Sequence, residues 1–310
     1  LCLPALICGL LALSQAGCRG EPAPAPAGAA HRLAELTGAR ARVVWVRDLA
    51  DTDDMFLKGN RHQLMGFDTR EGRERVLWAP GDQIKKPLLS PDGAYVVFSR
   101  FRDDRIFRLD WAGREPRELG RGYALDVWRD PATGRDWVLA AVDRSRNEDA
   151  PYRRMVRFPV DAPDRREELW SNGDVSMDNV DLSRDGRRVG GMFPWPRGLV
   201  VDTATRQATA LGRGCWSSLA PDNSYLLWVF DGAHRHLFFH TPDGRQRWRT
   251  TINTIPGGEH RRMYHPRWSN HARFMVTTGP YDTDARGKKK KGTGRGVEVW
   301  VGRFREDLRE

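Results

Sequence analysis

A short turn followed at once by an apolar run recurs along this chain, and that repeat limits the possible folds more than any other feature. In Ser90-Pro91-Asp92-Gly93 the proline presets φ for a turn. The aspartate can cap that turn with its own carboxylate, and the glycine supplies the positive φ that ends it. Tyr95 to Phe98 is β-branched and aromatic, Asp103-Asp104 interrupts, and Ile106, Phe107, Leu109 and Trp111 form a second apolar run, which makes one antiparallel hairpin. The turn chemistry returns at Leu182-Ser183-Arg184-Asp185-Gly186 before Val189 to Phe193, and at Leu219-Ala220-Pro221-Asp222-Asn223 before Tyr225 to Phe230. Weaker copies are Arg267-Trp268-Ser269-Asn270-His271 before Phe274 to Thr278, and Trp128-Arg129-Asp130-Pro131 before Trp137 to Val142.

The anchors stand about 37 to 53 residues apart, the interval of a four-stranded propeller blade and too long for a simple hairpin array. Leu199 to Val201 and Leu237 to Phe239 supply third runs. Gln207 to Leu211, Gln246 to Ile252 and Arg166 to Trp170 supply more polar fourth runs, as suits an outermost strand in contact with water. The ends are irregular. Val43 to Val46, Gln63 to Phe67 and Arg75 to Trp78 give three strands with no such turn ahead of them, and the last unit stops after Val297 to Phe304 without an outer strand. His31 to Thr37 is expected to fill that outer position and seal the ring. The fold expected is therefore all-β, a β-propeller of six blades, with seven blades or an incomplete ring as the alternatives. No helix-period segment of useful length is visible.

Ser90-Pro-Asp-Gly followed by Tyr-Val-Val-Phe-Ser, with Ile106-Phe-Arg-Leu-Asp and the later Leu119-Gly, resembles the repeat of TolB-type, WD-repeat-like β-propellers over nearly all of residues 41 to 305. Blocks such as Phe193-Pro-Trp-Pro-Arg, Cys215-Trp-Ser-Ser-Leu-Ala-Pro-Asp-Asn-Ser-Tyr and Tyr264-His-Pro-Arg-Trp-Ser-Asn-His also look like those of exported lipoprotein propellers of planctomycete and verrucomicrobial type. The resemblance implies a fold and an exported location. It implies no reaction, because propellers host binding modules and enzymes alike.

Residues 1 to 17 carry no charge, have an apolar core too short to span a bilayer stably, and end in the small residues Ala16 and Gly17 before Cys18. This resembles a bacterial lipoprotein signal, in which the cysteine is lipidated and becomes the mature N-terminus. Gln15 stands where such signals usually carry Leu, so an uncleaved anchor is the alternative. The expected organisation is a signal peptide at 1–17, the lipidated Cys18 and a Pro/Ala tether at 18–30, and a propeller domain at 31–310. That places the protein outside the cytoplasm, as a periplasmic or outer-membrane lipoprotein.

The formal charge of +10 comes mostly from arginine. It admits an anionic partner, but the arginines are scattered through every segment, which favours a solvated surface over a nucleic-acid footprint. Only Lys288 to Lys291 form a compact run. No nucleic-acid partner is expected; a protein or carbohydrate ligand is, on a monomer held to a membrane by its lipid.

In a propeller the innermost strand of each blade lines the central channel, so residues just ahead of each repeat turn are the candidates for a site. They are unusually polar and aromatic here. Trp128, Asp178, Trp216, His265, Arg267 and Trp268 are the candidate ligand-binding residues at the channel mouth, and Lys85, Lys86, Asp126, Asn179 and Asp181 share their register. Aromatic faces for stacking beside charges for hydrogen bonding suit a sugar or a peptide. The competing reading is a channel filled by water and polar side chains that satisfy strand ends.

Other chemistry is thin. His265 and His271 lie either side of a turn with no third ligand at zinc spacing, and Asp48, Asp51, Asp53 and Asp54 fail the EF-hand pattern, so no metal is expected. There is no Gly-x-Ser-x-Gly elbow, phosphate loop, dinucleotide fingerprint or Cys-x-x-Cys, so no cofactor and no catalytic residue is assigned. Pro194-Trp195-Pro196-Arg197-Gly198 reads equally as a packing plug or a recognition tip. Cys215, between Gly214 and Trp216, reads as a small buried hydrophobe rather than a nucleophile. The function expected is an exported binding or scaffold module, with a channel-mouth glycan lyase or hydrolase as the alternative.

Overall fold

The computed structural model describes residues 11–13, 28–49, 61–79, 81, 83–114, 116–146, 152–177, 179–252, 261–281, 297–306 and 308. Cys18, the acidic residues Asp51, Asp53 and Asp54, Asp178, and the run Lys288 to Lys291 lie outside the described residues.

In chain order the elements are strand β1 (Leu11–Leu13), helix α1 (Ala29–Thr37), and a three-stranded first blade of β2 (Arg42–Asp48), β3 (His62–Asp68) and β4 (Glu74–Trp78). Blade two holds β5 (Ile84–Leu89), β6 (Tyr95–Arg100), β7 (Arg105–Asp110) and β8 (Arg117–Arg121). Blade three holds β9 (Tyr123–Arg129), β10 (Asp136–Arg144), β11 (Tyr152–Pro159) and β12 (Glu167–Trp170). Blade four holds β13 (Val180–Leu182), β14 (Arg188–Met192), β15 (Arg197–Asp202) and β16 (Ala208–Arg213). Blade five holds β17 (Trp216–Leu219), β18 (Leu227–Phe230), β19 (His236–His240) and β20 (Arg247–Thr251). Blade six is β21 (Arg262–Trp268), β22 (Phe274–Tyr281) and β23 (Glu298–Arg303), with β1 as its outer strand through Leu11↔Val301 and Leu13↔Val299. All pairing is antiparallel, so the chain is an all-β propeller of six blades.

The repeat turns form as their residue types dictate. Ser90 Oγ donates to Asp92 Oδ1 at 2.7 Å, Asp92 Oδ1 accepts the Ala94 N–H at 2.9 Å, and the Tyr95 N–H donates to Ser90 Oγ at 3.1 Å, with Gly93 at φ 72°. The copy at Ser183 repeats this network around Asp185. Gly186 is doubly required there, because φ is 68° and a Cβ would lie 2.6 Å from the Trp128 ring. Each of β5, β9, β13, β17 and β21 therefore starts at one face of the ring, here the mouth face, and ends in a repeat turn at the other, the turn face.

Blade one departs from this plan. Arg42, at the start of β2, hydrogen-bonds the Gly93 carbonyl on the turn face, whereas His62, opposite the end of β2, is 2.9 Å from the Ile84 carbonyl on the mouth face. β2 thus runs against β5 and occupies the place of a second strand. Among the described residues no innermost strand stands in front of it.

The segment His31 to Thr37, expected as the closing outer strand, is helical instead, and β1 takes the outer position. The reason is local: Ala29-Ala-His-Arg-Leu-Ala-Glu-Leu-Thr37 is rich in good helix formers, and left-handed glycines flank it at Gly28 and Gly38, with the Gly38 N–H returning to the Ala34 carbonyl at 2.8 Å. The helix buries Ala29 and Leu33 among Val43, Trp45, Met65 and Phe67 of blade one and Val299 and Val301 of blade six. The first and last blades are therefore bonded through a hydrophobic wedge. Leu33→Ala is expected to destabilise the fold by about 2–5 kcal/mol, because Leu33 is fully buried at this closure. Urea denaturation followed by tryptophan fluorescence measures this; an effect below about 1 kcal/mol means that the wedge does not carry the closure.

Candidate functional site

The channel is crossed from side to side at mid-depth. Arg267 leaves β21 of blade six and reaches Asp181 Oδ1 of blade four at 3.2 Å, Asp126 Oδ1 of blade three at 3.6 Å, and the Leu125 carbonyl at 3.3 Å. Both carboxylates are anchored further. Asp126 Oδ2 accepts the Leu182 N–H at 2.9 Å, and Asp181 Oδ2 accepts the Ser218 hydroxyl at 2.8 Å and the Leu219 N–H at 3.1 Å. Asn179 Nδ2 donates to the Pro266 carbonyl at 2.8 Å, adding a second tie between blades four and six. Burial, and then the neighbouring Asp181, push the Asp126 carboxyl above the ordinary aspartate range, against the pull of Arg267 and the Leu182 N–H.

Lys86 and His265 stand at corresponding positions, four residues ahead of Ser90 and Ser269. Each has positive φ (43° and 48°), each precedes a proline, and each lies at a register shift in its strand pairing. Such bulges re-aim side chains, and non-glycine residues hold positive φ only where the surroundings impose it. At His265 the surroundings are aromatic. Trp216 packs edge-on against His265 (4.8 Å between centroids) and Tyr264 (4.7 Å), and lies 5.0 Å from His234. The His234 Nδ1 and the Tyr281 hydroxyl are hydrogen-bonded, Tyr264 packs edge-on to Tyr281 at 5.7 Å, and burial raises the Tyr281 phenol.

Trp195 lies beside this cluster, donating its Nε1 hydrogen to the Cys215 carbonyl at 3.2 Å. At 42% exposure it is the large hydrophobic side chain left open to solvent among the described residues. The Pro194–Gly198 turn therefore lies against blade five and still presents its ring outward. Cys215 itself is half-buried and packs against the hydrophobic cluster of blades five and six.

The candidates read from sequence separate into three groups. Trp216 and His265 meet on the mouth face. Arg267 sits below them in the channel. Trp128 and Trp268 lie toward the turn face and are packing residues: Trp128 covers Gly186 and donates to the Arg184 carbonyl at 2.9 Å, and Trp268, 4% exposed, is set among Trp228, Phe239 and Phe304. Residues ahead of a turn look alike in sequence, whereas each inner strand runs from the mouth face to the turn face, so their side chains lie at different depths. His234, Tyr264 and Tyr281 were not singled out, because two of them come from the second strand or the following loop of a blade. The signal for Tyr264 was its place next to His265.

No protein-family model matches this chain, and no curated protein matches it. Among solved structures it is similar to TolB from Acinetobacter baumannii, with a TM-score of 0.55 at 14% identity over 83% of this chain, and it spans 66% of that TolB's length. It is similar as well to a chain of the nidogen/laminin complex (TM-score 0.54, 13% identity, 84% of this chain and 97% of that one) and to a luciferin-regenerating enzyme (0.52, 10%, 85% and 96%). At such identities the likeness concerns the fold alone: the chain has the architecture of the TolB-like β-propellers. Among the described residues no helix is long and apolar enough to cross a membrane.

The channel charges make a prediction with a definite sign. The folded protein holds the Asp126 proton to higher pH than the unfolded chain does. In the window above the ordinary aspartate value of about 3.9, stability contributed by the protonated form is therefore lost as pH rises. Asp126→Asn is expected to remove that loss, gaining on the order of 1–3 kcal/mol over the wild type between about pH 4 and pH 8. Paired urea titrations across this range check it, and a constant difference between the two proteins refutes it.

Proposed function

We propose that this protein is an exported, lipid-anchored propeller that binds a protein or carbohydrate partner on its mouth face, over the rim formed by Trp195, His234, Tyr264 and His265, which the buried Trp216 and Tyr281 support from behind. The observation that carries this reading is the exposed Trp195 ring beside a wall of packed aromatics and imidazoles, above a channel that Arg267 crosses. A partner is held at the surface rather than threaded through the ring. The exposed Trp195 ring takes the apolar face of a sugar or the side chains of a peptide, with polar groups of the rim placed beside it for directional hydrogen bonds.

The anchor rests on the order of features at the N-terminus: an uncharged apolar run, Ala16-Gly17, Cys18 and a Pro/Ala tether. Cleavage ahead of Cys18 removes residues 11–13 and leaves β23 as the outer strand of blade six. Mass spectrometry of the mature N-terminus tests this arm, and a retained signal or an unmodified Cys18 defeats it.

Binding is tested by screening the soluble domain against glycans, cell-wall fragments and envelope proteins, with product analysis to detect turnover. Trp195→Ala is expected to weaken binding by about 1–3 kcal/mol, roughly tenfold or more, with an unchanged melting temperature, because the ring is exposed. Unchanged affinity in that variant removes the rim from consideration. Turnover abolished by His265→Ala in a folded protein replaces the binding module with an enzyme.

A further inference from the structure

On the turn face, in the cleft between blades two and three, lies a pocket of ≈ 250 Å³ lined by Tyr95, Arg108, Arg117, Arg135, Asp136 and Asp161, with Val160 at its apolar side. It shares no residue with the mouth rim. Three guanidinium groups and two carboxylates face it, and the carboxylates are already engaged. Asp136 receives Arg129 Nε at 2.7 Å and the Tyr95 hydroxyl at 2.8 Å, and Asp161 receives Arg135 at 2.8 Å. The Arg135 hydrogen bond, with Arg117 contributing at longer range, holds the Asp161 carboxyl below the usual range. Arg129 and Arg135 thus make the ion pairs with both carboxylates, and among the described residues Arg108 and Arg117 make no ion pair.

Those two arginines are directly opposed, Arg108 on β7 against Arg117 on β8. Like charges facing one another across neighbouring strands are destabilising, and sheets normally avoid the pairing. Arg108 lies over the Tyr95 ring, 4.5 Å from its centroid, which fixes the guanidinium plane. Its Nε is buried and donates to no acceptor among the described residues. A buried donor that meets no acceptor among the described residues, a like-charge pair and a third guanidinium arriving from the next blade together have the chemistry of an anion site.

We propose that this cleft is a binding site for a small oxyanion, a phosphate, a sulfate or the carboxylate of an acidic sugar, held between Arg108, Arg117 and Arg135. Planar forks that are already oriented suit a bidentate oxyanion, and the volume admits one such group or a single sugar ring carrying it. The Tyr95 hydroxyl is committed to Asp136, so affinity comes from the arginines.

Calorimetric titration of the purified chain at low ionic strength with sodium sulfate, sodium phosphate and sodium glucuronate tests the site and distinguishes the sources of the anion. Saturable binding of at least one is expected, with glucuronate preferred if the physiological ligand is an acidic sugar and sulfate or phosphate preferred if it is an inorganic-type group. Arg117→Ala removes an exposed side chain and leaves the fold intact; it and Arg108→Gln are each expected to weaken binding about tenfold. Asp161→Asn is expected to tighten it severalfold, because a competing carboxylate is gone, and Trp195→Ala on the opposite face is expected to leave it unchanged. No saturation by about 10 mM of any of the three anions overturns the proposal, as does equal affinity in Arg117→Ala and the wild type, or weaker binding in Asp161→Asn.

Discussion

A ring of sheets persists only if its first and last members meet, since each blade buries both faces against its neighbours and an open ring leaves two of those faces in water. In this propeller the meeting is made by Leu33 of α1, set between Val43, Trp45 and Phe67 on one side and Val299 and Val301 on the other. Apolar surface is removed from water on both blades at once, and the helix hydrogen-bonds its own backbone while doing so. The outer strand β1 adds ladder bonds to blade six alone; the contact between blades is hydrophobic. The inner position of blade one, unfilled among the described residues, is compatible with this, because the closure does not depend on it.

With the ring closed, residues far apart in sequence are held across one axis. Arg267 carries the consequence. Its guanidinium joins blades three, four and six, and the two carboxylates it meets are each tied to backbone N–H groups or a hydroxyl, so neither can turn away to water. Burying such a cluster is costly unless every partner is present. Asp126 registers the cost: burial first, and then the neighbouring Asp181, make its proton harder to release than that of an ordinary aspartate. The cluster thus ties three blades together across the channel.

The faces differ in kind because different loops build them. The mouth face collects the linkers between blades and the loops between second and third strands, which bring Trp195, His234 and Tyr281 to the inner-strand residues Trp216, Tyr264 and His265. The turn face collects the repeat turns and the ends of third strands, which bring Arg108, Arg117 and Arg135 together between blades two and three. One is aromatic and imidazole-rich, the other is cationic, and the chemistry each can recognise differs accordingly.

The repeat turns and the blade count were legible in the sequence because their determinants are local. Ser90, Asp92 and Gly93 satisfy one another within five residues, and the interval between copies measures out one blade. Three strands without a leading turn marked blade one as irregular before its geometry was known. What only the tertiary structure decided are the choices that depend on distant neighbours. The helix over residues 31–37 is itself a local outcome, but its place is not: the hydrophobic seam offered by Val299 and Trp45 sets it as a wedge between the first and last blades. Ring geometry likewise separates Trp216 from Trp268, which both precede a repeat turn but stand at different distances from it: Trp216 packs against Tyr264 toward the mouth, and Trp268 packs against Trp228 toward the turn face. The pairing of Arg267 with Asp181 and Leu125 spans 86 and 142 residues. No periodicity records such contacts, because they exist only once six sheets have been brought around a common axis.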